Sequence, residues 1–374
     1  MRKRYLLLAV LAACTGGPHY TGIDADVSPK DGSKDGPEID GDTTCRLRVV
    51  FVDGKPPFSG LDDGSGLREV WISNPDGSGL VDLSNNSNAD DAHPSPSPDG
   101  LKVAFASNRT GKYDIFVVNI DGTALINLTS GPDISFDASN PIWSPDGTRI
   151  AFSMAGNVWA MNANGTGAAK ISTVPVSGAM AWSADSKQLV FDSFSYPSTF
   201  ALYVVNVGDG SQAVKLNSGN PREIDASWAP FSKITFDNSS DVFTINGNGG
   251  GIVNITQSAI FQNRGAVVVS NGNAIVFSST RDNGYIELWS IPSSGGTAVQ
   301  VTHNAISLNS DNANAASPDG TLLAFVRRKQ TVQSDNSVTF TSQLGVVGVD
   351  GSGLHLFNAT DSSNAVEAKF SVCR

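Results

Sequence analysis

Apolar and polar residues alternate in short runs from Arg46 onward, and no stretch sustains a helical period of apolar positions. Arg149-Ile-Ala-Phe152, Asp114-Ile-Phe-Val-Val118, Asn157-Val-Trp-Ala160 and Glu287-Leu-Trp-Ser290 are typical, and each is of strand length. Between such runs stand Ser-Pro-Asp-Gly, Asp-Gly and Gly-Gly. Proline presets φ, aspartate accepts turn amides and glycine takes a positive φ, so these clusters close tight hairpins. The pattern therefore predicts an all-β chain of short antiparallel strands.

The runs recur as a larger unit. Asn140-Pro-Ile-Trp143-Ser-Pro-Asp-Gly147-Thr-Arg-Ile-Ala-Phe152 has counterparts in His93 to Phe105, Ala181 to Phe191, Ser227 to Phe236, Val267 to Phe277 and Ala315 to Phe325. Phe51, Phe105, Phe152, Phe191, Phe236, Phe277 and Phe325 align, roughly 40 to 50 residues apart, the period of a four-stranded propeller blade. In each unit one strand leads into the turn, a second ends at the phenylalanine, a third is apolar and a fourth follows a glycine turn. A ring of such sheets hides its faces against neighbours. The expected fold is all-β, a seven-bladed β-propeller of four-stranded antiparallel blades, with six or eight blades as alternatives.

The amino terminus breaks this pattern. Arg2, Lys3 and Arg4 precede a short apolar run and Leu11-Ala-Ala-Cys14, a secretory signal too short to span a bilayer. The run resembles the bacterial lipoprotein box, which implies cleavage after residue 13 and lipidation of Cys14; Thr15 in the next position implies the outer membrane. Residues 14–44 carry six aspartates and almost no large apolar side chain, so they read as an extended tether, and residues 45–374 as the folded body. Export places Cys45 and Cys373 in an oxidising compartment, where a pair of thiols becomes a disulfide.

A net charge of −11, more negative once the basic leader is gone, disfavours nucleic acid as a partner. The sequence holds no Gly-x-Ser-x-Gly, His-Glu-x-x-His, Cys-x-x-Cys or phosphate-binding glycine loop. No catalytic residue, metal ligand or cofactor is assigned. The polar residues that stand out lie in the connections leading to the first strand of each unit: Asp91 and His93, Asp137 and Asn140, Arg222 and Asp225, Arg264, Asp311, and Glu367. Such connections ring one mouth of a propeller's channel, where ligands sit. A plain alternative is that the aspartates accept backbone amides and fix the turns. Arg109 and Arg281 occupy equivalent turns, which argues first for architecture.

The units at 140–167 and 107–129 resemble the repeats of TolB-type propellers, a WD-repeat-like family with a Trp-Ser-Pro-Asp-Gly signature; the likeness runs over residues 46 to 373. It implies a propeller outside the cytoplasm. The family's preceding α/β domain has no counterpart in residues 15–44. Alignment also shows that the first unit lacks its first strand, and that Ala365 to Cys373 supplies one, with Cys45 and Cys373 both falling where other units place their Ser-Pro-Asp-Gly turn. The C-terminal strand is thus expected to close the ring on the N-terminal blade, with a Cys45–Cys373 disulfide replacing the turn. The functional expectation is a monomeric, non-catalytic binding or scaffolding lipoprotein, exported, anchored to the outer membrane and facing the periplasm or the surface, with a protein or envelope component as partner. The alternative is a propeller lyase or hydrolase using a metal or carboxylates at the channel mouth.

Overall fold

The computed structural model describes residues 47–54, 67–86, 88–131, 136–195, 199–216, 219, 222–229, 233–258, 260–269, 272–282, 284–303, 309–332, 338–357 and 367–372. Cys14, Cys45 and Cys373, with the leader and tether, lie outside them. Every regular element among the described residues is a strand, apart from an isolated 3-10 residue at Gly272.

Strands β1 (Leu47–Gly54), β2 (Arg68–Ser73) and β3 (Val81–Asp82) open the chain. The next sheet is β4 (Asp91–Pro96), β5 (Lys102–Ser107), β6 (Asp114–Asn119) and β7 (Ile126–Asn127), in that order. Three more follow. They are β8 (Ala138–Trp143), β9 (Arg149–Met154), β10 (Asn157–Asn162) and β11 (Ala169–Pro175); β12 (Met180–Trp182), β13 (Gln188–Ser195), β14 (Thr199–Asn206) and β15 (Val214–Lys215); and β16 (Ile224–Ala229), β17 (Lys233–Asp237), β18 (Val242–Asn246) and β19 (Val253–Asn254). Then come β20 (Asn263–Val269), β21 (Ala274–Asp282), β22 (Tyr285–Pro292) and β23 (Val299–Gln300), and β24 (Asn309–Ala316), β25 (Leu322–Val332), β26 (Val338–Gly348) and β27 (His355–Leu356). These last two groups are joined by one parallel pairing, Ile286 with Ser310. Finally β28 (Glu367–Val372) returns to pair antiparallel with β1, Leu47 opposite Val372 and Val52 opposite Glu367.

The repeat phenylalanines explain why these sheets pack. Phe51, Phe105, Phe152, Phe191, Phe236, Phe277 and Phe325 are all fully buried. Each belongs to an apolar cluster drawn from two successive sheets: Val50 and Ile72 with Phe105 and Phe116, for example, or Ala104 and Val117 with Phe152 and Met161. The last sheet packs on the first through Ala324, Leu344 and Val346 against Val49, Phe51 and Phe370. In the register position beside the phenylalanine stands an aromatic such as Trp71, Phe116, Trp159, Tyr203, Phe243 or Trp289, but in β26 it is Gly345. A β-carbon there would come within 2.3 Å of the Phe325 ring.

The Ser-Pro-Asp-Gly turns close as the sequence suggests. Ser97 Oγ donates to Asp99 (2.5 Å) and Ser144 Oγ to Asp146 (2.6 Å), while Leu101 N and Thr148 N donate to the same carboxylates (both 3.0 Å). Gly100 and Gly147 take φ of 70° and 71°, the left-handed region glycine tolerates. The hairpin of β25 and β26 is longer than the repeat suggests, pairing from Leu322–Gly348 out to Val332–Val338.

Phe191→Ala removes a fully buried ring at one sheet-to-sheet contact, and denaturant unfolding should show a loss of about 3–5 kcal/mol. Substitution of the exposed Val214 should change stability by less than about 0.5 kcal/mol.

Candidate docking site on the inner strands

The first strand of each sheet lies beside the first strand of the next: β4 beside β8, β8 beside β12, β12 beside β16, β16 beside β20, β20 beside β24, β24 beside β28 and β28 beside β4. Five of these strands carry one extra residue against their partner strand, between Ala92 and Ser95, Ser139 and Ile142, Ile224 and Ser227, Arg264 and Val267, and Ala313 and Ala315. Within these bulges His93, Asn140, Asp225 and Gly265 have φ of 56°, 52°, 56° and 62°. A left-handed φ selects glycine, asparagine, aspartate or histidine over other residues, and a bulge re-aims the side chain it carries. Three residues singled out from sequence thus hold one structural position. The bulges themselves were not legible in the alternation of residues.

The other candidates have partners that explain them architecturally. Asp91 is fully buried and accepts from Arg109 (3.2 Å), whose guanidinium also donates to the Ser84 carbonyl (3.0 Å) and lies 4.9 Å from the Phe116 ring centre. Asp311, also fully buried, takes both arms of Arg327 at 2.7 Å. Asp137 accepts the backbone amide of Tyr113 (2.9 Å), as Asp90 does that of Arg68 (3.1 Å) and Glu223 that of Leu202 (2.9 Å), so these carboxylates staple one sheet to the start of the next. Arg281 repeats the geometry of Arg109, donating to the Thr256 carbonyl over the Phe277 ring. Arg222 lies over Phe200, 5.3 Å from its centre; Arg264 is exposed. Glu367 is placed by register alone, opposite Val52.

Beside Asp225 the structure gathers two carboxyls that sequence reasoning passed over. Asp192 and Asp237 each follow a repeat phenylalanine, where other units have Ala106, Ser153 or Ser278. That departure in two adjacent units was the available signal. Asp237 is 1% exposed and accepts the amides of Gly265 (2.9 Å) and Ser239 (2.8 Å). Burial pushes its pKa up to about 6, against the pull of those amides and of Arg264. Asp225 shares a hydrogen bond with it and is raised further, by burial and then by the charges of Asp237 and Asp192, so it holds the proton of the pair. Asp192, 4% exposed, is raised to about 7, chiefly by burial and also by the charge of Asp237. Its Oδ1 has no protein partner, and its Oδ2 sits where a β-carbon on Gly178 would come within 2.3 Å.

Gly178 also lines a polar cavity of about 220 Å³ with Asp137, Ser139, Asn140, Ser153 and Ser177. The Asn140 side-chain oxygen is buried without a hydrogen bond. The arrangement offers an unpaired acceptor and neutral carboxyl groups that can donate a hydrogen bond or release a proton. Among the described residues no three His, Cys, Asp or Glu side chains are placed to hold a metal ion.

No family model matches the sequence. It is 30% identical over 124 residues to the protein TolB homolog of Chlorobaculum tepidum, covering 32% of this chain and 27% of that one. It is 34% identical over 82 residues to the Tol-Pal system protein TolB of Anaeromyxobacter dehalogenans, covering 21% and 18%. The matched segments thus span about a quarter or less of these curated relatives. The crystal structure of TolB from Acinetobacter baumannii superposes over 87% of this chain and 66% of its own, with a TM-score of 0.51 at 15% identity. The chain is a TolB-like β-propeller. An oligogalacturonate lyase in complex with manganese is also similar to this TolB-like chain, with a TM-score of 0.57 at 14% identity over 83% of this chain and 84% of its own, a likeness of fold.

The buried carboxyls set a pH dependence. A carboxyl with a folded pKa above its unfolded value binds its proton more tightly in the native state, so stability falls as pH rises from about 4 through about 7. Asp192→Asn should therefore stabilise the protein at pH 8 and leave it little changed at pH 5, as read by urea unfolding at both values.

Proposed function

We propose that the chain is an exported, lipid-anchored and non-catalytic docking propeller of the cell envelope, and that the bulged inner strands form its binding face. The observation that carries the reading is the recurrence of His93, Asn140 and Asp225 at one left-handed bulge position, on a fold similar to TolB. A protein uses such positions to present side chains at the cost of backbone strain. The Tol-Pal name of one relative makes a protein of the envelope the partner class. Cys14 is the anchor, residues 14–44 the tether, and the outer membrane the site of attachment, the body facing the periplasm or the surface as a monomer. Asp91, Asp137, Arg222, Arg264, Asp311 and Glu367 frame the face or hold its connections.

The seven groups of strands form a seven-bladed ring, closed by β28 on β1. The pairing of Leu47 with Val372 and the packing of Ala324 and Leu344 on Phe51 support it. Cys45 and Cys373 lie two residues and one residue beyond that pair in sequence, and we assign them to one disulfide at the interrupted hairpin. A second reading, a lyase or hydrolase working at the inner strands, draws on the neutral carboxyls Asp192 and Asp225 as proton donors.

A photo-crosslinking residue at position 140 should capture one envelope protein in cells, and the same residue at rim position 299 should not. Equal capture from both sites, or none from 140, would contradict docking at this face. Cys14→Ser should shift the protein from membranes to the soluble exported fraction. Non-reducing mass mapping should recover a Cys45–Cys373 peptide pair; free thiols there would remove the bridge.

A further inference from the structure

At one end of the third strand three sheets build the same polar device, and the first sheet varies it. Asp114, Asp241 and Glu287 each lie two residues before the aromatic of that strand, and each is bonded by an amide side chain from the outer strand: Asn127 (3.1 Å), Asn254 (3.0 Å) and Gln300. Two residues further on, Thr129, Thr256 and Thr302 accept the next backbone amide of the third strand, at 2.9, 3.1 and 3.0 Å. The register makes the equivalence firm, because Phe116 faces Asn127, Phe243 faces Asn254 and Trp289 faces Gln300.

In the first sheet Trp71 faces Asp82, so the amide is replaced by a second acid. Glu69 takes the place of Asp114, and Ser84 that of Thr129, accepting the Val70 amide at 2.9 Å. The Ser84 hydroxyl has one hydrogen and two carboxylates to serve, Glu69 at 2.5 Å and Asp82 at 3.3 Å. Asn86 N adds one weak bond to Glu69 at 3.3 Å. Asp82 already accepts the amides of Ser84 (3.1 Å) and Asn85 (2.8 Å). Glu69 is 3% exposed. The described groups that bear on it are Asp82 on β3 and Asp91 on β4 with its partner Arg109. Two neighbouring acids against one arginine already committed to Asp91 leave Glu69 best accommodated with a proton of its own.

We propose that Glu69 and Asp82 form a proton-operated latch that holds the outer strand β3 closed at acidic pH and releases it as the pH passes neutrality. Release would loosen Leu83 and Ser84, whose amides bond the Val70 carbonyl at 2.9 and 3.4 Å, and with them the Ser84 carbonyl to which Arg109 of the next sheet is tied. Burial, and then the charges of Asp82 and Asp91 against the Ser84 bond, raise Glu69 to about 7, and burial raises Asp82 as well. By linkage, a carboxyl raised from 4.5 to about 7 favours the closed state below that window and opposes it above. Asp114 is held below the ordinary carboxylate range: burial pushes it up, but bonds from Lys112, Thr110, Thr129 and Asn127 outweigh that. The second sheet is thus a built-in control.

The test is amide hydrogen exchange on the intact chain at pH 5.5, 6.5, 7.5 and 8.5, corrected for intrinsic rates. Leu83 is compared with Leu128, its counterpart bonded to Ile115 O at 2.8 Å. The protection of Leu83 relative to Leu128 should fall by about tenfold or more across the series, each unit of pKa shift allowing tenfold. Asp82→Asn, which restores the amide of the other sheets, should flatten that fall, and Asn127→Asp should create one at Leu128. A constant ratio in the parent protein overturns the latch, as does an unchanged fall in Asp82→Asn.

Discussion

A twisted four-stranded sheet has two faces and too few residues to bury either alone; everything else in this protein follows from that constraint. One phenylalanine per repeat, fully buried in all seven, fills the gap between a sheet and its neighbour. Each such ring contributes about 1.5–3 kcal/mol by leaving water. The contribution exists only while both sheets are present, so the order of strands along the chain becomes an order of sheets in space. The return of β28 to β1 is the same constraint applied at the ends, since without it Phe51 would lose Ala368 and Phe370 from its cluster.

Polar groups are then tied to the edges of these contacts. Arginines 109, 149 and 281 reach carbonyls across a sheet boundary, lying over an aromatic ring on the way. Carboxylates at 90 and 137 cap amides at the start of third strands, and that of Glu223 an amide within β14. Other buried polar atoms have no hydrogen-bond partner within the protein: the Oδ1 of Asp192 and the side-chain oxygen of Asn140 are among them, with the Thr244 hydroxyl and the indole N–H groups of Trp71, Trp143, Trp159, Trp228 and Trp289. Buried polar atoms without partners carry a desolvation penalty of about 1–3 kcal/mol, which structures tolerate where a ligand or water can meet them.

The strands, their grouping and the turns were legible because each rests on local chemistry: alternation, Pro-Asp-Gly, and a phenylalanine at a fixed place. His93, Asn140 and Asp225 were legible as residues but not as bulges, because an extra residue in one strand shows only against its partner. Asp192 and Asp237 went unnoticed because acids after an apolar run read as strand ends; burial turns them inward. The acid of Asp114 lies 13 residues from the amide of Asn127 and 15 from the hydroxyl of Thr129, and only the pairing of β6 with β7 brings them together. Gly345 shows the converse. The sequence reads as a weak repeat there, yet Phe325 occupies the space an aromatic takes elsewhere.

Ring closure by the C-terminal strand is the claim on which the placement of every inner-strand residue depends. Hydrogen exchange on a chain ending at residue 364, compared with the full chain, tests it directly. The account predicts that amides of residues 47–52 lose most of their protection in the shortened chain while those of β9 and β10 keep theirs. Unchanged protection across residues 47–52 would contradict it.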